Sequence, residues 1–282
     1  MRSYGELIKF KLSLLVLFSA FVGYFLGRGG DLSNVVELMI FLLGGFLVTG
    51  GSNSVNQILE RDLDSQMDRT KMRPIPTGKI GVLSAMLIAS FQTIFGVGIL
   101  FYFVNIEVAL LSLFSMVIYA FAYTPLKRHT PVAVLVGAIP GALPPLIGWA
   151  AATGNLGLPG MVLFAIQFLW QFPHFWAIAW IMNDDYKKAG FHLLPSPSGR
   201  SKRSAFHLFF YSLFLIPIAI VPMRIGMTGE IGTIALLVCG LGMVYYAFRL
   251  LKTSENKEAR KLMFASFFYL PIVQIFLMLD IA

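Results

Sequence analysis

The stretch NVVELMIFLLGGFLVTGGSNSVNQILERDLDSQMDRTKMRPIPTG, residues 34–78, joins an apolar run without a break to a tail crowded with acids and bases. From Asn34 to Gln57 the only charge is Glu37, and a helix of that length, rising 1.5 Å per residue, crosses the roughly 30 Å of a bilayer's hydrocarbon. Asn56, Glu60, Asp64 and Asp68 then follow at four-residue steps. On a continuous helix they form one ridge, each about 6 Å above the last.

Working outward, comparable runs recur near 11–27, 80–103, 107–124, 131–152, 160–183, 205–223, 229–250 and 263–281, giving nine spans with that at 34–57. Hydrophobic residues make up 57% of the 282, charged residues 13%, and the mean hydropathy is +0.76. This balance excludes an ordinary soluble domain, and residues 1–282 read as one integral membrane domain, an all-α polytopic bundle. The first run follows Arg2, Lys9 and Lys11 like a signal peptide, but it lacks a small-residue cleavage pattern before Arg28 and is expected to stay as the first span. Cys239, the single cysteine, sits in an apolar run as a small hydrophobe.

The connecting segments are unequal in charge. One alternating set holds 20 Lys and Arg, the other only Arg28 and Arg224. The positive-inside rule assigns the rich set to the cytoplasm, so the amino terminus is expected inside and the carboxy terminus outside, in the inner membrane. The net charge of +8 is then topological bias and lipid attraction, with no call on nucleic acid. Gly23 with Gly27, and Gly137 with Gly141, suit close helix approach, while Pro140, Pro144, Pro145 and Pro173 bend helices and free carbonyls.

Like charges at four-residue steps repel unless a cation intervenes. Carboxylate and amide oxygens suit Mg²⁺, which takes one or two carboxylates and completes its shell with phosphate and water. The ridge is about 18 Å long, too long for one ion, so Asn56, Glu60 and Asp64 are the first ligands expected, with Asp68 further out. A solvated acidic helix end has the same pattern and needs no metal. Arg69, Lys71 and Arg73 immediately downstream tilt the balance, because acids beside bases suit a metal-bound phosphate, and Lys127, Arg128, Asp184 and Asp185 in later loops add matching halves. His174 lies deep in the sixth span, an ionisable group at a depth where function is the default reading, although it could instead bond a carbonyl freed at Pro173. Trp170, Phe172, Phe175 and Trp176 crowd it and could wall a flat apolar substrate.

On these residues the chain resembles the UbiA superfamily of intramembrane prenyltransferases, and within it the haem-acting branch. The superfamily's first motif, Asn-x-x-x-Asp-x-x-x-Asp, stands here as Asn56, Glu60 and Asp64, with Glu for the first Asp. RDLDSQMDRTKMRP at 61–74, YTPLKR at 123–128, PGALPPLIGWAAATG at 140–154, WQFPHFWAIAW at 170–180 and DDYKKAGFHLLP at 184–195 carry the branch resemblance. The second motif, often a spaced acidic repeat, is here only the adjacent pair Asp184 and Asp185.

The resemblance implies a nine-span bundle around a cytoplasm-facing cavity, a farnesyl diphosphate donor and a haem B acceptor. It implies Mg²⁺ on Asn56, Glu60, Asp64 and Asp185, with Asp68 and Lys127 also catalytic. Arg69, Arg73, Tyr123, Arg128, Trp170, His174, Asp184 and Tyr186 would bind substrate. A haem A synthase or a terminal oxidase is the partner it suggests. Two rivals stay open: a relative prenylating a quinone ring or chlorophyll precursor, and, from another class, a secondary transporter. A transporter should carry charge at mid-membrane, whereas here charges gather in loops on one side.

Overall fold

The computed structural model describes residues 2–282, the side chain of Arg2 excepted, so that residue's part in the charge count lies outside the described side chains. Among the described residues nine helices are long and apolar enough to cross a membrane: α1 (Phe10–Gly27), α2 (Val35–Leu59), α3 (Val82–Phe103), α4 (Ile106–Leu126), α5 (Ala133–Thr153), α6 (Leu158–Ile181), α7 (Lys202–Arg224), α8 (Glu230–Thr253) and α9 (Asn256–Leu279). The expected spans are all present, with one edge well displaced. The ninth helix begins at Asn256 rather than near 263, because hydropathy marks only its apolar part. Its polar first turns are held by buried Glu258, which accepts from Lys261 at 2.9 Å and Arg249 at 3.4 Å.

Polar residues set the helix starts. The Asn34 side chain accepts the Glu37 amide at 3.2 Å and donates to the Glu37 carboxylate at 2.7 Å, and the Asn105 side chain accepts the Val108 amide at 2.8 Å. Gly154 ends α5 at φ 71°, the left-handed region that only glycine enters without strain.

Helices α5 and α6 are the centre of the bundle, with 67% and 61% of their spanning windows buried against 22% for α3. Large apolar side chains such as Leu83, Leu87 and Ile94 cover the outside of α3, as a lipid-facing surface requires. Helix α1 lies along α5 at backbone contact: a Cβ on Gly23 would stand 1.9 Å from the Pro145 carbonyl oxygen, and one on Gly148 1.8 Å from that of Ala20. The prolines of α5 free carbonyls as expected, and side chains of neighbouring helices take them. Without an amide on Pro144, the Pro140 carbonyl accepts from Ser115 at 3.3 Å; without one on Pro145, the Gly141 carbonyl accepts from Gln167 at 2.7 Å.

The two acidic segments meet at one end of the bundle. The Asp185 carboxylate accepts the amides of Asp68 at 2.8 Å and Arg69 at 3.3 Å, and the His192 amide donates to the Lys127 carbonyl at 3.0 Å. At the opposite end the Gly229 amide bonds the Asp280 carbonyl at 2.9 Å, beside the chain's last residues.

Candidate functional site

A cavity of about 770 Å³ opens among α1, α2, α4, α5, α6 and α9, polar toward the end with the acidic segments and apolar deeper in. That volume is in the range of small-molecule sites. Its polar end begins where α2 runs out. The helical stepping continues just past the helix, since the Glu60 amide bonds the Asn56 carbonyl at 3.0 Å and the Asp64 amide the Glu60 carbonyl at 2.7 Å. Asn56, Glu60 and Asp64 therefore do share a ridge, and all three are buried on the cavity wall.

Each carboxylate of the ridge has a basic partner. Lys127 reaches Glu60 at 2.5 Å, and Arg73 reaches Asp64 at 2.6 Å. Asn56 donates to Glu60 at 2.9 Å and to the Thr124 hydroxyl at 3.1 Å. Burial lifts the Asp64 carboxyl above the usual carboxylate range despite the guanidinium beside it. Its second oxygen, Oδ1, is buried with no hydrogen-bond partner among the described residues. Such an acceptor on a cavity wall is suited to a cation.

Arg69, Arg73, Tyr123, Lys127, Trp170, His174 and Tyr186 also line the cavity. One turn of α4, Ile118–Tyr123, is widened, turning Tyr119 and Tyr123 inward, and Gly137 makes room for the Tyr123 ring, which would stand 2.6 Å from a Cβ there. Lys127 lies 4.5 Å from the centre of that ring and Arg69 5.4 Å from that of Tyr186. His174 makes no bond to a carbonyl freed at Pro173; its Nδ1 meets Ser266 Oγ on α9 at 2.8 Å.

Four expected site residues stand outside the cavity wall. Asp68 leaves the ridge because the chain turns after Asp64; it is exposed and held by Lys71 at 2.6 Å and by Lys188. Asp185 spends its carboxylate on the first acidic segment's amides. Asp184 pairs with Arg200 at 2.9 Å, and Arg128 is exposed. Bonds from Lys188 and Lys71 hold Asp68 down to about 2, and Asp185 also lies below its ordinary value, since those amides and Lys188 outweigh its burial.

A depressed carboxylate contributes stability that is present above its unfolded value and is lost as pH falls through the folded one. The clasp between the two segments should therefore be unchanged from pH 8 to about 5 and loosen below about 4. Being exposed, it should also weaken with salt. Amide exchange at Asp68 and Arg69 followed against pH checks this, and a clasp intact at pH 2 would contradict it.

Lys9 is a site residue that sequence reasoning counted only toward orientation. Its Nζ lies 2.8 Å from Asn56 Oδ1 and 3.3 Å from the Tyr119 hydroxyl. Burial first, then the facing charges of Arg73 and Lys127, lowers Lys9 to about 7. The backbone there is left-handed at φ 49°, uncommon for a residue other than glycine. Amides on α2 secure that bend: Gln57 donates to the carbonyls of Glu6 at 2.9 Å and Leu7 at 2.8 Å, and Asn53 to that of Ile8 at 3.2 Å. The trace of this in the sequence is two amides four residues apart in an apolar run.

A membrane bundle whose cavity ends in paired acids and bases has the layout of an intramembrane transferase for an apolar substrate with an anionic head. The sequence pattern of the UbiA prenyltransferase family matches residues 16–270, and the chain belongs to that family. It is 47% identical over 279 residues to a protoheme IX farnesyltransferase of Cytophaga hutchinsonii, covering 99% of this chain and 97% of that one. A protoheme IX farnesyltransferase of Christiangramia forsetii is 44% identical, with 98% and 92% covered. In fold it is similar to a UbiA homologue of Archaeoglobus fulgidus bound to GPP and Mg²⁺, with a TM-score of 0.70, 18% identity, and 98% and 99% of the two chains covered. A solved structure concerning digeranylgeranylglyceryl phosphate synthase in membranes gives a TM-score of 0.83 at 20% identity, with 99% and 97% covered.

Proposed function

We propose that this chain is a protohaem IX farnesyltransferase, joining farnesyl diphosphate, haem B and water into haem O with release of diphosphate. The observation that carries the reading is one cavity that ends in Glu60, Asp64 and four basic side chains, with a wall beyond them that is largely apolar, in a chain 47% identical to a relative of that name. Mg²⁺ fits this end. Among the described residues no three His, Cys, Asp or Glu side chains form a ready-made cage. Two carboxylates, one of which holds Asp64 Oδ1 without a partner among the described residues, and the Asn56 amide are instead an incomplete oxygen set of the kind Mg²⁺ shares with a phosphate. Bound by Asn56, Glu60 and Asp64, it would offset diphosphate charge and improve the leaving group. Asp185 and Asp68 serve this site by fastening the two loops over it.

Lys9, Arg69, Arg73 and Lys127 surround the diphosphate and take up the negative charge that grows on it as its bond to the allylic carbon breaks. The electron pair of that bond leaves with the diphosphate. The terminal vinyl carbon of haem B supplies the pair for the new carbon–carbon bond, and water then adds to the adjacent carbon and loses a proton. Phe18, Phe41, Val48 and Ile147 on the cavity wall offer the allylic carbon no nucleophile in competition with the vinyl group. A vinyl group needs no base, whereas a phenol benefits from one, and among the described residues no acidic side chain lies on the cavity wall beyond Glu60 and Asp64.

The haem product would pass to a haem A synthase or a terminal oxidase. The charge-rich segments would face the cytoplasm of the inner membrane, with the amino terminus on that side and the carboxy terminus opposite. Reporter fusions at 60–81 and 182–201 should report cytoplasm; fusions reporting the other face would overturn the orientation.

Membranes containing the protein, given haem B, farnesyl diphosphate and Mg²⁺, should yield haem carrying a hydroxyethylfarnesyl group by mass spectrometry, and EDTA should stop it. Unchanged haem beside a prenylated hydroxybenzoate or naphthoate would move the acceptor to the quinone class. Undiminished activity in EDTA would remove the metal.

A further inference from the structure

We infer that His174 binds the acceptor as an axial ligand to its iron through Nε2, and that Ser266 is the positioning residue that keeps that nitrogen unprotonated. This rests on the haem reading and adds how the haem is held. Ser266 Oγ lies 2.6 Å from the Met263 carbonyl, which can only accept, so the hydroxyl hydrogen points there. The same oxygen lies 2.8 Å from His174 Nδ1 and has only lone pairs left to offer it. Nδ1 must therefore carry the ring's proton, and Nε2 carries the lone pair.

Nε2 has no hydrogen-bond partner among the described residues, and the residue that bears it is 8% exposed and lines the cavity. The ring cannot swing to find a partner. Trp170 stacks on it with centroids 4.4 Å apart and planes 20° apart, and Phe267 packs edge-on against it with centroids 5.2 Å apart. Trp170 is itself fixed by donating Nε1–H to the Ser266 carbonyl at 2.9 Å, so one residue of α9 sets both rings. A neutral imidazole on a cavity wall, oriented by a hydrogen bond at Nδ1 and with Nε2 left without a described partner, is how proteins hold a metal-ligating histidine. The electrophilic atom of haem B is its iron, for which histidine is the common protein ligand.

The test uses the full chain in phospholipid nanodiscs titrated with haem B. The ferrous complex should show an iron–histidine stretching band in resonance Raman. His174→Ala should lose the band and regain it with added imidazole, and His174→Gln should lose it with a side chain of similar size. Ser266→Ala should weaken haem affinity by roughly 10-fold or more, the usual cost of removing a ligand's hydrogen-bond partner, while Ser266→Thr, which keeps the hydroxyl, should stay near wild type. The KM for farnesyl diphosphate should stay put in all four, which also shows that they fold.

A band that persists in both His174 variants, or a wild-type complex without nitrogen ligation, overturns the inference while haem prenylation stands. A wild-type protein that fails to bind haem B overturns both this inference and the acceptor beneath it.

Discussion

Asp64→Asn should lower turnover by roughly 10³-fold and leave the folded protein nearly as stable as before. Turnover falls because Asp64 offers one oxygen to Arg73 at 2.6 Å and holds the other on the cavity wall without a partner among the described residues, and an amide can replace only the first. Loss of a single preorganised charge-stabilising group typically costs about 10²–10³, and loss of a metal's grip adds to that. Stability survives for a different reason. Burial already works against the charge at Asp64, so a neutral isostere removes a desolvation cost as it weakens an ion pair. Arg73 is left with its side chain partly exposed, where water can serve it. Product formation by mass spectrometry and a thermal midpoint in detergent separate the two effects. Turnover near wild type would show the ridge to be only a solvated acidic helix end.

Lys127→Met should be the more damaging change to the fold. The Lys127 and Glu60 side chains are 9% and 6% exposed and 2.5 Å apart, so removing the cation leaves a carboxylate whose remaining described donor is the Asn56 amide at 2.9 Å. Breaking a buried pair costs about 3–5 kcal/mol, and because these groups border a cavity the lower end, about 3 kcal/mol, is expected. Adding Glu60→Gln removes the stranded charge and should recover most of that loss without restoring turnover, because both groups line the polar end of the cavity where the diphosphate is proposed to bind. A double-mutant cycle on denaturation in mixed micelles reads the coupling directly. Single variants that add independently would mean that the pair is not coupled and that Glu60 finds its compensation elsewhere.

Asn56, Glu60 and Asp64 were legible because the backbone stays helical through them, and a local period survives folding. Asp68 was misplaced by the same rule, since the chain turns one step earlier and carries it out to Lys188, 120 positions away in sequence. His174 was marked by its depth, but its partner was not, because Ser266 lies 92 residues further on in another helix.

By itself the sequence determined the nine spans, the division of charge between the two ends and the composition of the acidic ridge, all of which follow from hydropathy and spacing within a few turns of chain. Only the tertiary structure decided that Lys9 enters the site, that Asp185 ties one loop to the other, that Gln167 and Ser115 take the carbonyls freed in α5, and which nitrogen of His174 holds the proton. Each of these is a polar group removed from water. Its partner is whichever donor or acceptor the packing of distant helices delivers, and no local pattern encodes that choice.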